Sequence, residues 1–547
     1  MKLYKFCLIL ASAGTLAVAP GCKDFYNVNV NPLTPTAVGL YSLLPVTQVN
    51  MAEALGDNIG GLSQYTMALM QQLYNTRNIG NFQQTGDSFS GEWAVLYRGM
   101  LINNERIITQ GTTEQRWNYV GVAQLQKAYV YSQMVDVWGD IPYSEALKGE
   151  VNPAPRFDKD EDIYNGTANI QGLFSLIDEG LANLAKTGSI PTKPTLGDVD
   201  LIYKGDLDKW ARFGRTLKLK LYNQLRKTTS AATVQNQVGP LLNGPLLEEA
   251  GDFQLGYANT ANPDNRNPGY VTDYNANPEN RIGRYFYEGM VTLNDPRKPY
   301  YFFNQLAIGA STTNQDYISP LDPRFVTVRP GTSSQFASTA STASVQTVQG
   351  LYPVGGRFDD GKGGKTGTTS GKAEAPQRLL TYYSRKYTEA ELRLTVYNDV
   401  AAARTAFDAA VLASFNKVNT IAAADGSPVI PTATITTYKN SALARFDNAA
   451  TTEDKLEVIM YEKYVASFGY GVDVYTDFRR TGHPVIRVSP EAVTLSAPNS
   501  GLLPDDGGTR ANGAFPLRLY YPTNDLTLNP NSPRSQREST APIFWDK

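Results

Sequence analysis

VYSQMVDVWGDIPYSEA, residues 130–146, changes character at its middle. Up to Trp138 it is a run of helix-compatible residues with apolar groups three or four apart. Gly139 can leave helical backbone without steric cost, and Pro142, with no amide hydrogen, keeps the helix from resuming. Trp138 and Tyr143 flank the break with apolar faces that can seal the turn and polar edges that can reach exposed backbone. Asp136 and Asp140 bracket Trp138. Acids at that spacing suit either a capping-and-turn network or a calcium or ligand site, and the network is the expectation.

Outward from this stretch the helical period persists. Val122, Leu125, Tyr129, Ser132 and Val135 lead into the turn, and Ile170, Phe174, Ile177, Leu181 and Leu184 resume beyond it. Trp93, Tyr97, Leu101 and Ile108 form an earlier stripe, and Trp210, Phe213, Leu217, Leu221 and Leu225 a later one. Each is a core face at 3.6-residue spacing, and several such helices with short connections predict stacked helix pairs. Between about 230 and 380 the texture turns to Asn, Pro, Gly and Tyr, predicting turns and long loops. Within it, 331–344 and 361–372 are low-complexity runs expected to be mobile surface. Helical stripes return at Val400, Ala403, Phe407, Val411 and Ser414, and at Leu456, Met460, Tyr464 and Phe468. The expectation is therefore a mainly α protein. Helical parts at about 40–228 and 380–470 enclose the insertion, and a loop-rich tail follows from about 482.

The first 21 residues have another logic. Met1, Lys2 and Lys5 precede an apolar and small-residue run, the layout of a secretory signal too short to stay in a bilayer. Ala19, Pro20 and Gly21 stand before Cys22 as in a bacterial lipobox, although a strict lipobox has leucine where Ala19 is. The chain has 2 cysteines, so removal of 1–21 leaves Cys22 as a lone exported thiol. A lipidated Cys22 accounts for it better than an incidental residue does, and residues 22–547 then form one domain. No disulfide framework or thiolate metal cluster is available, so stability must come from a core. A formal net charge of −2 gives no basic field for nucleic acid.

Chemistry is sparse. The one histidine, His483, sits beside Pro484 in a turn, too little for a hydrolase triad or a histidine-rich metal site. GKGGKTG (361–367) is superficially a phosphate loop, but Asp359 occupies the position of its first glycine. Asp359–Asp360 and Asp505–Asp506 lie in glycine-rich loops where solvated acids are expected. No residue is assigned a catalytic, metal-binding or cofactor role; acids in loops permit calcium without requiring it.

The turn sequence resembles that of the SusD/RagB family of outer-membrane lipoproteins, particularly its SusD-like branch. Other pieces resemble the family in order: DFYNVNVNPLTPT (24–36), EWAVLYRGMLINNERI (92–107), EDIYNGTANIQGLFSLIDEGLANL (161–184), EVIMYEKYVASFGYGVDVYTDFRRTGHP (457–484) and FPLRLYYPTNDLTLNPN (515–531). Tyr464 departs from a common tryptophan, and SRKYTEAELRL (384–394) matches the family's Ala-Glu-Ala helix only loosely. The resemblance implies tetratricopeptide-like helix pairs packed against an irregular, loop-rich half. It also implies a surface lipoprotein that lids a SusC-like TonB-dependent barrel and binds glycan or peptide for import. Lys23 and Asp24, directly after Cys22, resemble the signal that sends such lipoproteins to the outer face.

Ligand residues are chosen from composition. YNTRNIGNFQQTGD offers Tyr74, Asn75, Arg77 and Phe82, and the insertion offers Tyr270, Tyr274, Asn275 and Arg281. Aromatic faces stack on sugar rings while amides and guanidinium groups bond hydroxyls. The competing readings are a surface glycoside hydrolase and a structural partner of the barrel that binds no ligand.

Overall fold

A computed structural model describes residues 38–57, 60–75, 84–275, 278–312, 317–327, 343–485 and 515–546. Cys22, Lys23, Asp24, Arg77, Phe82, Asp505, Asp506 and the run 331–342 lie outside the described residues. Helices of eight residues or more are numbered α1 to α13. They are α1 Leu40–Gly56, α2 Leu62–Leu69, α3 Ile102–Thr113, α4 Trp117–Trp138, α5 Leu173–Leu184, α6 Leu207–Gln224 and α7 Ala231–Leu242. The chain continues with α8 Arg284–Thr292, α9 Tyr382–Thr395, α10 Val400–Asp425, α11 Thr432–Asn448, α12 Thr452–Ala466 and α13 Gly471–Thr481.

α4 is the axis of the first half, with 19 of its 22 residues buried. A helix buried on nearly every side is surrounded by others; α3 packs on one side of it, α5 on another, and α6 and α7 continue the row. Glycines set the spacing. A Cβ on Gly121 of α4 would meet Leu184 at 2.7 Å and the Gly180 carbonyl of α5 at 2.8 Å, so the two backbones approach as only glycine allows. In the second half α9 packs on α10 and α12, and α11 bridges α10 and α12. Side-chain caps start these helices: Asp206 accepts the Lys209 amide for α6, Asp399 the Ala402 amide for α10, and Thr451 with Asp454 forms a capping box for α12. α10 and α13 end at Gly426 and Gly482 in left-handed backbone. One hydrophobic cluster runs through both halves from Leu40 to Trp545.

Among the described residues the strands form five antiparallel pairs: β1 (Leu73–Asn75) with β5 (Asn280–Ile282), β2 (Ile141–Pro142) with β3 (Phe157–Asp158), β4 (Phe253–Leu255) with β10 (Gln377–Leu380), β6 (Phe302–Phe303) with β9 (Val348–Gln349), and β7 (Tyr317–Ile318) with β8 (Val326–Thr327). The stretch expected as loops contains two helices of eight residues or more, α7 and α8, and the shorter Pro268–Asp273, Lys298–Tyr301 and Leu351–Val354. The run 361–372 lies at the surface, with half of its residues exposed, but it is pinned at Gly364 and Thr366. Gln305 accepts from the Thr366 amide at 2.8 Å, its own carbonyl takes the Gly364 amide at 2.8 Å, and Thr366 is buried. Asp359 is paired with Arg324 at 3.1 Å and Asp360 with Lys362 at 2.8 Å, so those two acids serve ion pairs.

Among the described residues no helix is long and apolar enough to cross a membrane. None hold a cluster of three or more His, Cys, Asp or Glu arranged for a metal ion.

Candidate functional site

The turn after α4 is a closed network. Gly139 takes φ +81° and ψ −120°, a region essentially reserved for glycine, and a Cβ there would run into the Arg518 guanidinium. The Asp136 carboxylate accepts from the Tyr164 hydroxyl at 2.6 Å and the Trp545 indole at 3.0 Å. Burial raises its pKa to about 6, with Lys220 pulling the other way. Asp140 accepts the Asp160 amide at 3.0 Å and pairs with Arg537. Trp138 donates to the Tyr520 carbonyl, and the Tyr521 hydroxyl donates back to the carbonyls of Trp138 and Asp140. Tyr143 packs edge-on against Tyr131, with 4.6 Å between centroids, and donates to the Gln171 carbonyl. Both acids therefore anchor the turn, as a capping network should.

A second network joins the late segment to this frame. Arg479 donates to the Asp136 and Leu517 carbonyls. Arg480 grips the fully buried Glu391 of α9 through both terminal nitrogens; Arg226 Nε and Asn223 Nδ2 reach the same carboxylate at 2.9 Å each. The loosely matching α9 thus supplies the acid that receives Arg480 and Arg226.

The two ligand segments chosen from sequence meet at one place. β1 pairs with β5 so that Tyr74 faces Arg281 and Asn75 faces Asn280 in register. The corner is polar inside: Gln64 donates to Asn280 Oδ1 at 3.0 Å, and Gln349 to Asp273 Oδ2 at 2.6 Å. Burial pushes Asp273 up to about 6 and Arg281 down to about 10. Tyr74 is 2 % exposed, and its hydroxyl donates to Gln71 Oε1 at 2.5 Å. Tyr270 and Tyr274 stack at 4.6 Å and are 1 % and 0 % exposed. The Tyr274 hydroxyl donates to the Gln349 carbonyl and accepts the Arg357 amide, both at 2.8 Å. Arg281 is buried and donates to the Pro278 carbonyl, while Asn275 is half-buried. These aromatic rings present no open face; they are the frame from which the chain passes to residues 76–83, which carry Arg77 and Phe82. The ladder was invisible in the sequence because its strands are short and distant, and composition does not tell a buried tyrosine from an exposed one.

Stacked helical hairpins and a polar, loop-built corner held by a two-stranded ladder define a helical-repeat scaffold with an irregular face. The chain belongs to the SusD-like family: the family model described as starch-binding and associating with the outer membrane matches residues 32–522. Solved structures share the fold. A SusD/RagB family protein from Bacteroides thetaiotaomicron is 20% identical, with 93% of this chain and 99% of that chain covered and a TM-score of 0.68. A SusD homologue from Bacteroides fragilis is 19% identical, covering 93% and 100%, with a TM-score of 0.67. A chitin-binding SusD homologue from Flavobacterium johnsoniae is 17% identical, covering 93% and 98%, with a TM-score of 0.66. No curated protein sequence matches the chain.

Proposed function

We propose that this chain is a cell-surface lipoprotein that binds a glycan and hands it to a SusC-like TonB-dependent outer-membrane barrel. Membership of a starch-binding, outer-membrane-associating family carries the reading, and the fold shared with a chitin-binding homologue supports the same ligand class. Lipid on Cys22 anchors the chain, and Lys23 with Asp24 directs it outward. Its action is capture rather than turnover, with no cofactor beyond the lipid. Phe82 and Arg77 make the contacts, one stacking on a sugar face and the other bonding hydroxyls. Tyr74, Asn75 and Arg281 belong to the β1–β5 ladder, and Tyr270 and Tyr274 are buried and stacked on each other, so these residues serve the scaffold. Peptide is the alternative ligand class.

The test is a glycan array followed by calorimetric titration of the best-bound oligosaccharide, with maltooligosaccharides and chitooligosaccharides included. Arg77→Ala and Phe82→Ala should each weaken binding about five- to tenfold, with circular dichroism unchanged. An array without ligands, or unchanged affinity in both variants, overturns the reading. Release of new reducing ends would make the protein a hydrolase instead.

A further inference from the structure

Of the chain's 5 tryptophans, Trp93, Trp138, Trp210 and Trp545 are buried, and Trp117 alone is half-buried. It is the first residue of α4, at the opposite end from the turn at Gly139. The Lys186 ammonium lies 3.7 Å from its ring centroid, so one aromatic face already carries a cation. The chain beyond α5 is pinned to the same helix start. The Ile190 amide donates to the Gln115 carbonyl at 3.0 Å, and the Ser189 hydroxyl to Asn118 Oδ1 at 2.8 Å. Arg116 donates to the Pro191 carbonyl. Held in this way, Ile190 is 43 % exposed, and Pro191, Lys193 and Pro194 are exposed beside it.

Basic groups outnumber acids here. Lys186 and Lys193 are exposed and make no ion pair among the described residues. The two acids close by are engaged: Glu114 pairs with Arg116 at 3.4 Å, and Asp198 accepts the Thr195 amide at 2.8 Å and its hydroxyl at 2.6 Å. α1 begins at this same end. A Cβ on Gly111 of α3 would meet Val120 of α4 at 2.8 Å and Leu40, the first residue of α1, at 3.7 Å. The Gly111 carbonyl also takes the Arg116 amide at 2.7 Å. Beside Leu40, Tyr41 is 40 % exposed. Leu40 stands 18 residues after Cys22 (40 − 22), so a lipid on Cys22 tethers the molecule through the end where α1, α3 and α4 meet.

We propose that this end rests on the bilayer surface, with Trp117, Tyr41 and Ile190 at the level of the lipid headgroups and Lys186 and Lys193 on anionic ones. Aromatic rings beside aliphatic and basic side chains are the composition that a lipid–water interface selects. A sugar ring would meet an ammonium on the Trp117 face that it needs open. The lipid supplies the attachment, and the patch sets which end of the molecule faces the bilayer. The inference rests on the lipid anchor at Cys22 and is independent of the ligand bound.

The test reconstitutes the lipidated protein in vesicles of phosphatidylcholine and phosphatidylglycerol with brominated acyl chains, floats them and compares tryptophan emission with that on unbrominated vesicles. Bromine quenches only at close range and the other tryptophans are buried, so the expected quenching is that of Trp117 and is lost in Trp117→Phe. Lys186→Glu combined with Lys193→Glu should lose it as well while the protein still floats. Protein that does not float overturns the anchor and this inference together. Floating protein with Trp117 unquenched leaves the surface to a protein partner and overturns this inference alone. So does quenching that survives Trp117→Phe or the double charge reversal, or that is equal on phosphatidylcholine without the anionic lipid.

Discussion

Glu391→Gln removes the one charge on which two guanidinium groups and an amide converge. Glu391 is 0 % exposed and Arg480 1 %, so neither can turn to water when the pair is broken. Glutamine keeps one acceptor oxygen but points an NH₂ group at donors already aimed there. Removing one member of a buried pair costs about 3–5 kcal/mol. Arg480 retains Asp477 at 2.7 Å, which puts this case at the lower end, about 3 kcal/mol. With unfolding entropy near 2.1 cal/mol/K per residue, a chain of this length converts that into a Tm lower by only about 2–3 °C. Differential scanning calorimetry resolves such a shift. The pH dependence then isolates the charge. Burial pushes the Glu391 carboxyl up, but Arg480 and Arg226 outweigh it and hold the group well below 4.5. Its stabilisation is therefore full above the unfolded value and disappears as pH falls through the depressed folded one. The gap between wild type and variant should be complete at pH 7 and close in acid. Glu391→Leu combined with Arg480→Met and Arg226→Met should recover part of the loss. Both guanidinium groups face Glu391, and either would otherwise be left as an uncompensated buried charge. A gap below about 1 °C at pH 7, or one that widens on acidification, refutes the reasoning.

Two further outcomes follow from features already described. Gly139→Ala forces an L-residue into φ +81°, ψ −120° and a Cβ into Arg518; it should cost about 2–4 kcal/mol in a thermal melt, whereas Gly188→Ala, with open space around it, should cost less. Cys22→Ala should move the protein from the membrane fraction to the soluble one, and palmitate labelling should vanish with it.

The helices were legible because their apolar residues recur at a period that only a helix satisfies, and the turn after α4 because glycine and proline act locally. Other features carry no such local mark. The π-helical segment Val95–Leu101 shifts a hydrogen-bond register without changing residue types, so its stripe reads as ordinary helix. The run 361–372 has the composition of a flexible linker, yet two of its glycines pass close to other backbone: a Cβ on Gly363 would sit 2.5 Å from the Ala307 amide, and one on Gly371 2.6 Å from the Gly355 carbonyl. Composition cannot separate those two uses of glycine. Tyr270 and Tyr274 were singled out as aromatics in a loop, and their burial depends on Gln349, Arg357 and Gly371, which no local pattern links to them. The patch at the start of α4 was missed for a related reason, because Lys186 and Ile190 come to the Trp117 end only once α5 has folded back on α4.

The last residues of the chain bear on how the protein is made. The Val137 carbonyl at the end of α4 receives the Leu519 amide, and Asp136 receives the indole of Trp545. The most central helix of the first half thus ends on groups synthesised some four hundred residues later. A nascent chain can stack α3, α4 and α5 early, but it leaves the Asp136 carboxylate with the Tyr164 hydroxyl, and several carbonyls unmet, until residues 515–546 arrive. The end of the central helix is therefore complete only once residues 515–546 are in place.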